Sequence, residues 1–544
     1  MPVLVEKGDQ PKVNKDLFKV FVSDKLDSSG LRFLEQTKGI QVINKPGLKG
    51  QDLKDAIREA DAVIIRSETK LTKEIINAAG RLKIIGRAGV GVDNVDLETA
   101  TKRGIIVMNT PEGNTKSTAE LTWTMILVLA RKVPQAFNSL RQGEWKRSLF
   151  TGAELHRKTL GVVGFGRIGR EVARFAAAFG MKVLVHDPFI SADHVKQINV
   201  TFVSLNELAK EADFITVHTP LTPETTDMIS KPQFALMKKG VQIVNCARGG
   251  IINEEALLEA LNEGRVAGAA LDVFVREPPK KDDPLLLHPN VISTPHLGAA
   301  TVEAQENVAL EVAEQVVDAL FGKEIRNSVN IPSLDAASAR ILRPWTILTE
   351  KLGLLQAQLF EGDVRQVDIK YSGEVTTYKM TPLTAAFLKG LLTPICGESV
   401  NFVNSIPTAR ERGITVNEST TTAVEDFANA VAATIVTSSG THFVMGTLYG
   451  NKEPRIARIN EYYIDAVPRG TVLAITNDDK PGFVGEIGTL LGKNGVNIAE
   501  MTLGRRQEGG TAFAMINIDG QVPPNVLEEI RKLKKVQAVK VVRF

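Results

Sequence analysis

Between positions 244 and 298 the sequence sets an arginine, a glutamate and a histidine in three short, unusual settings. The arginine lies in Val244-Asn245-Cys246-Ala247-Arg248-Gly249-Gly250. It follows an apolar run and precedes glycines that permit close approach, so its planar fork could hold a carboxylate in bidentate fashion. A surface arginine in a turn is the plainer alternative. The glutamate lies in Asp272-Val273-Phe274-Val275-Arg276-Glu277-Pro278-Pro279, where two prolines limit its backbone, and the histidine in Pro295-His296-Leu297-Gly298. An imidazole can take a hydroxyl proton. A carboxylate on its other nitrogen fixes the tautomer and stabilises the imidazolium that forms. A histidine taken singly is more often structural. With seven histidines in the whole chain, the order Arg–Glu–His favours catalysis over that alternative.

Removing a hydroxyl proton and clamping an acid is half of a redox reaction; the other half needs an electron acceptor. Leu160-Gly161-Val162-Val163-Gly164-Phe165-Gly166-Arg167-Ile168-Gly169 offers a place for one, because a buried strand there runs into a Gly-x-Gly-x-x-Gly turn and a helix. Gly164 allows the tight turn, Gly166 lets a pyrophosphate approach the backbone, and Gly169 lets helix pack on strand. The free N–H groups of the first helical turn would face the phosphates. A second strand ends at Asp187, whose carboxylate could accept from an adenosine ribose and would repel a 2′-phosphate. The cofactor expected is therefore NAD. The alternative for Asp187 is a simple turn opener before Pro188.

These groups need a scaffold, and the hydrophobic rhythm supplies it. Runs at 17–24, 41–44, 62–66, 82–86 and 105–109 read as strands, with helices at 53–60, 73–79 and 97–102 between them. A second β/α series has strands at 162–164, 183–186, 214–218, 242–245, 269–271 and 291–294, then a long helix at 301–320. Two lobes joined this way leave a cleft that can close and exclude water. The fold class is thus α/β in four parts: one lobe (15–110 and 299–327), a second (111–298), an accessory α/β domain (333–468) and a ferredoxin-like C-terminal domain (470–544). Asn330-Ile331-Pro332-Ser333 marks the third boundary, and 417–422 reads as a polar break inside the accessory domain. From residue 471 the pattern is βαββαβ.

Composition narrows the function class. A net charge of +3 on 544 residues suggests no nucleic-acid surface. The two cysteines, Cys246 and Cys396, suggest neither a disulfide framework nor a metal site. The first nine residues do not read as a secretory leader or a transit peptide, and the apolar run 121–130 is too short to span a bilayer. The expected setting is the cytoplasm, with no membrane partner.

The glycine turn, Asn245-Cys246-Ala247-Arg248-Gly249-Gly250, Glu277-Pro278-Pro279 and Pro295-His296-Leu297-Gly298 together resemble the D-isomer-specific 2-hydroxyacid dehydrogenases. So do Ile65-Arg66-Ser67, the stretch Gly86 to Asp96, and Val107-Met108-Asn109-Thr110-Pro111. The resemblance covers 17–325 densely and the remainder more loosely. It implies a flavodoxin-like substrate lobe, a Rossmann NAD lobe, an accessory domain of allosteric substrate-binding kind, and Arg248, Glu277 and His296 as the catalytic set. It also implies that Gly164, Gly166, Arg167, Ile168, Gly169, Asp187, Thr219, Ala247, Asp272 and Gly298 hold NAD. Arg66, Gly89, Val90 and Asn114 would line the substrate pocket. Some relatives carry Thr where Val90 stands. The closest branch acts on 3-phospho-D-glycerate, with Arg66 reading the phosphate; a helix-edge salt bridge is the other reading of Arg66. The C-terminal module resembles an ACT domain, in which Asn477, Asp479 and Asn497 would stand where related enzymes bind L-serine; a structural ACT interface between subunits is the other reading. Lys146 or Arg147, beside Trp145, would reach a neighbouring subunit's site or lie on a solvated face. A homotetramer is implied. Two rivals share the core motifs: a glyoxylate or hydroxypyruvate reductase, and a non-catalytic NADH-sensing corepressor-like scaffold.

Overall fold

The computed structural model describes residues 17–190, 199–323, 325–331, 336–423 and 427–544. The chain start (1–16) and the boundary expected at 333 lie outside the described residues.

Strands β1 (Phe18–Val22), β2 (Ile40–Asn44), β3 (Ala62–Ile65), β4 (Ile84–Arg87) and β5 (Ile106–Asn109) form a parallel sheet in the order β2-β1-β3-β4-β5. β3 is apolar at every position and buried on both faces, as a strand sandwiched between helices must be. The strand order reverses beside β1 and β3, so a crevice opens beyond their carboxyl ends. Asp24 follows one and Arg66 the other. The helix Val302–Leu320 returns from the second lobe and lays Val308, Val312 and Val316 into this core. It fits tightly: a Cβ on Gly86 would lie 2.7 Å from Val316.

The second parallel sheet holds β6 (Thr159–Val163), β7 (Lys182–His186), β8 (Thr201–Phe202), β9 (Phe214–Val217), β10 (Val241–Asn245), β11 (Val266–Leu271) and β12 (Val291–Ser293). Its order, β12-β11-β10-β9-β6-β7-β8, places the switch point between β6 and β9. The glycine turn leaves the first of these and His218-Thr219 the second. The apolar run 121–130 sits inside the helix Thr115–Arg131, which buries Trp123, Ile126 and Leu129 against this sheet.

A third sheet is mixed: β13 (Val364–Gly373), β14 (Thr415–Thr421), β15 (Asn429–Thr437), β16 (Gly440–Tyr449), β17 (Glu453–Ile459) and β18 (Tyr462–Ala466), in the order β14-β13-β15-β16-β17-β18. The expected polar break at 417–422 is instead mostly β14, paired in parallel with β13. Its threonines and valine favour extended backbone. As an edge strand it can keep polar side chains in water, which is why it read as a loop.

The fourth sheet, β19 (Thr471–Asp478), β20 (Ile498–Arg505), β21 (Thr511–Ile518) and β22 (Val536–Arg543), has the order β20-β21-β19-β22 of a βαββαβ module. One face is covered by the module's own helices. The other shares an apolar cluster with the third sheet's helices, in which Val472, Phe513, Met515 and Val542 meet Leu348, Leu352 and Phe387. The last two sheets are thus welded through a common core.

Candidate active site

A cleft of about 1900 Å³ lies between the first two sheets, lined from both lobes. Its walls include Arg248, Glu277 and His296, and all four expected substrate residues, Arg66, Gly89, Val90 and Asn114.

The glycine turn takes the shape its spacing implies. Gly164 has φ +89°, a conformation open to glycine, and a Cβ there would press on the His218 carbonyl. Gly169 is against Gly164, where a Cβ would lie 2.2 Å from its carbonyl oxygen. Gly166 has open space beside it and caps the helix Arg167–Ala178, so N–H groups of that first turn stand beside room for an anion. Arg167 and Ile168 line the cleft there. Asp187 accepts from the Phe165 N–H inside the turn at 2.8 Å, and from Phe189 N–H at 2.9 Å. It therefore braces the turn and opens the next one, keeping spare lone pairs for sugar hydroxyls.

His296 has φ 55°, unusual for a side chain with a Cβ, and its N–H is held by the carbonyls of Asp272 and Thr294. Asp272 sets that loop. Buried at 1% exposure, its carboxylate accepts from Thr294 Oγ1, Leu297 N–H and Gly298 N–H. Burial pushes its carboxyl up, and these donors oppose the shift. Expected as a cofactor contact, Asp272 lines the cleft and also clamps the histidine loop. Gly298 completes the anchor, its carbonyl accepting from Ser117 and Thr118.

His296 Nδ1 and Glu277 Oε2 are 2.8 Å apart. Burial raises the Glu277 carboxyl, but the His296 hydrogen bond and charge, the Phe274 N–H and Arg248 together hold it below the usual carboxylate value. An ionised carboxylate only accepts, so Nδ1 donates and the Nε2 lone pair is left for a substrate proton.

Arg248 is shaped by Asn245, whose side chain bonds both the Ala247 N–H and the Arg248 carbonyl. Its Nη1 donates to Ala247 O at 2.6 Å, and its Nε to Asp93 Oδ2, on the opposite lobe, at 2.8 Å. Arg66 is positioned through its backbone: Asp24 accepts from its N–H, and Asn94 Nδ2 donates to its carbonyl. Arg87 ends β4, one of the strand ends whose polar residues read as facing a ligand. Burial first, then the charges of Arg248 and Arg66, lower its guanidinium to about 10. Arg66, Arg87 and Arg248, with Arg167 beside the glycine turn, put four arginines on one cleft, a field suited to an anionic ligand.

Buried polar atoms without partners mark where a ligand would bind. Asn114 Oδ1, His218 Nδ1, Thr219 Oγ1 and Ser293 Oγ are such atoms, and all four residues line the cleft. Leaving each unsatisfied costs about 1–3 kcal/mol. Together with the open side of Gly166 they fit an elongated, hydroxyl- and phosphate-rich dinucleotide. Burial drives His218 down to about 3, so it stays neutral. Its neighbour Cys246 is pushed up to about 12, chiefly by burial, and is no thiolate nucleophile.

Outside the cleft, Lys146 pairs with Glu144 at 2.6 Å and Arg147 opens the short turn Arg147–Phe150. Neither lines this chain's own cleft. In the fourth sheet's module, Asp479 accepts from Arg505 and Gly509 N–H, Asn497 donates to Asp519, and Asn477 is 1% exposed with Oδ1 unpartnered. Among the described residues no cluster could hold a metal ion, and no helix is long and apolar enough to cross a membrane.

Comparison with known proteins gives three family matches in chain order. They are the D-isomer-specific 2-hydroxyacid dehydrogenase NAD-binding domain over 123–298, the D-3-phosphoglycerate dehydrogenase intervening domain over 341–460, and the ACT domain over 471–535. D-3-phosphoglycerate dehydrogenase of Methanocaldococcus jannaschii is 44% identical over 97% of this chain and 100% of its own. The enzyme of that name from Bacillus subtilis is 42% identical over 97% and 99%. Among solved structures, D-lactate dehydrogenase of Aquifex aeolicus, complexed with NAD and lactic acid, matches at TM-score 0.52 and 32% identity, over 58% of this chain and 100% of its own.

Proposed function

The chain belongs to the D-3-phosphoglycerate dehydrogenases, within the D-isomer-specific 2-hydroxyacid dehydrogenase family, and we propose that Arg248, Glu277 and His296 carry its chemistry. The reaction is the NAD-dependent oxidation of 3-phospho-D-glycerate to 3-phosphooxypyruvate, the first step of phosphorylated L-serine synthesis. NAD, when bound, supplies the acceptor for the hydrogen and electron pair leaving C2. Gly164, Gly166, Arg167, Ile168, Gly169, Asp187, Thr219, Ala247, Asp272 and Gly298 hold it.

His296 Nε2 accepts the C2 hydroxyl proton while Nδ1 keeps its hydrogen bond to Glu277. Glu277 steadies the imidazolium and fixes the ring's orientation. The free face of Arg248 clamps the substrate carboxylate. Arg66 and Arg87 meet the phosphate at the other end, with Gly89, Val90 and Asn114 shaping the space between. The single observation that carries this reading is the Glu277–His296 hydrogen bond set in a cleft with a glycine turn on one lobe and arginines on both.

The working enzyme is read as a cytosolic homotetramer. Phe137, Leu140, Trp145 and Leu149 are apolar and 58–82% exposed on one stretch, the kind of surface a second subunit covers, and Lys146 or Arg147 would follow them toward its cleft. L-Serine is the proposed effector, taken up at Asn477, Asp479 and Asn497. Initial rates of NADH formation on 3-phosphoglycerate and D-glycerate, with and without L-serine, test the whole. A strong preference for the phosphorylated acid is expected; equal rates on D-glycerate would remove the phosphate-reading role of Arg66.

A further inference from the structure

The substrate lobe's loop from Gly89 to Asp93 approaches Arg248 more closely than a passing surface contact requires. A Cβ on Gly91 would lie 1.6 Å from Arg248 Nη2 and 2.6 Å from its Cζ, so the guanidinium lies against bare glycine backbone. Two residues on, Asp93 Oδ2 receives Nε at 2.8 Å. With Nη1 donating to Ala247 O, each of the fork's two edges has one nitrogen committed, and Nη2, which both edges share, is the nitrogen left over. Arg248 belongs to the NAD lobe, whereas Gly91 and Asp93 belong to the other lobe, 155 residues away for the Asp93 pair.

We propose that Gly91 and Asp93 form a seat for Arg248, so that the arginine presents Nη2 to the substrate carboxylate only when the lobes have closed. Gly91 supplies the space, and Asp93 fixes the rotation of the fork by taking Nε. An open cleft separates seat from arginine, and the long side chain regains its rotamers. Closure therefore does more than exclude water: it assembles the clamp. Asp93 is a positioning residue acting through Arg248. The inference rests on the carboxylate-clamp role given to Arg248 above.

The test is a double-mutant cycle on the full-length enzyme, reading kcat, KM for 3-phosphoglycerate, and NADH affinity by fluorescence. Asp93→Asn keeps the volume and removes the charge; it should lower kcat/KM about 10- to 100-fold with NADH affinity unchanged. Gly91→Ala, which fills the seat and leaves every charge in place, should do the same. In an Arg248→Lys background, Asp93→Asn should change kcat/KM less than about twofold, because the fork it positions is gone. Equal losses in both backgrounds, or Asp93→Asn at wild-type kcat/KM beside a damaged Arg248→Lys, would overturn the seat alone. Arg248→Lys at wild-type kcat/KM would overturn the clamp and the seat with it. Normal NADH binding shows that the NAD lobe is intact, and an unchanged thermal midpoint shows that the lobe carrying Gly91 and Asp93 has folded.

Discussion

The inter-lobe cleft and the first turn of the ACT module are both lined with polar side chains, and they keep their hydrogen-bonding capacity in opposite ways. In the cleft, Asn114, His218, Thr219 and Ser293 hold buried atoms with no partner in the protein. At the ACT positions, Asp479 in the first turn is taken by Arg505 and Gly509, and Asn497, just before β20, by Asp519, leaving Asn477 Oδ1 as the unpartnered atom. A ligand entering the cleft satisfies donors and acceptors that folding left unpaired. A ligand entering the turn must first displace contacts the module makes with itself. The cleft leaves several such atoms for a ligand to complete, whereas the ACT positions leave one, Asn477 Oδ1.

The largest expected effect tests the cleft's chemistry. His296→Ala should lower kcat by about 10²–10⁴-fold, since among the described residues His296 is the base hydrogen-bonded to Glu277, while NADH still binds by fluorescence titration. Near-normal turnover would remove His296 from the mechanism. The ligands themselves give the next test. NADH at a hundredfold above its dissociation constant should stabilise the cleft lobes by about 2.7 kcal/mol, seen as a rise in thermal midpoint. L-Serine at millimolar concentration should move that midpoint far less, and an equal shift from both would break the contrast between the two regions.

The sequence exposed what lies close together along the chain. Gly164, Gly166 and Gly169 could be given separate jobs because a turn's backbone is encoded over a few residues. Glu277 and His296 could be paired because each sits in a short motif beyond a strand end. The Asp93–Arg248 contact stayed hidden because it depends on how two lobes meet, which no local pattern records. Arg87 was legible as a polar residue at a strand end, but its burial beside Arg66 and Arg248 was not, because it is a product of sheet packing. Asp272 looked like a ligand contact, yet three of its hydrogen bonds hold the histidine loop. Strand β14 read as a break because an edge strand rich in Thr and Ser lacks the apolar alternation of an inner one.

Two smaller effects sharpen the cleft's side. Asp272→Asn places an amide where the loop supplies only donors. It should destabilise the protein by about 1.5–3 kcal/mol in denaturant melts, and activity should fall because His296 loses its backbone frame. Glu277→Gln tests linkage. The Glu277 carboxyl is held below its ordinary 4.5, so its contribution is present above that pH and is lost as pH falls through the lowered native value. The melting difference between wild type and Glu277→Gln should therefore be visible at pH 7 and vanish in strong acid. A difference that persists unchanged at low pH would mean that shape alone matters there.

The smallest effect falls on the ACT turn and bears most directly on its self-sufficiency. Asp479 is held below its ordinary value by Arg505 first and by the Gly509 N–H next, so it is a committed carboxylate at neutral pH. If L-serine binds here, its ammonium group must win Asp479 away from Arg505, and Arg505→Ala should strengthen the response to L-serine by freeing the acceptor. Asp479→Ala should abolish that response with only a small fall in melting temperature, because the exposed Arg505 leaves the pair partly screened. If the module serves as a subunit contact, neither substitution alters the L-serine response. Both should then shift the oligomer equilibrium in sedimentation. Titrating L-serine against the two variants separates a turn that can be opened by a ligand from one whose hydrogen bonds serve the fold alone.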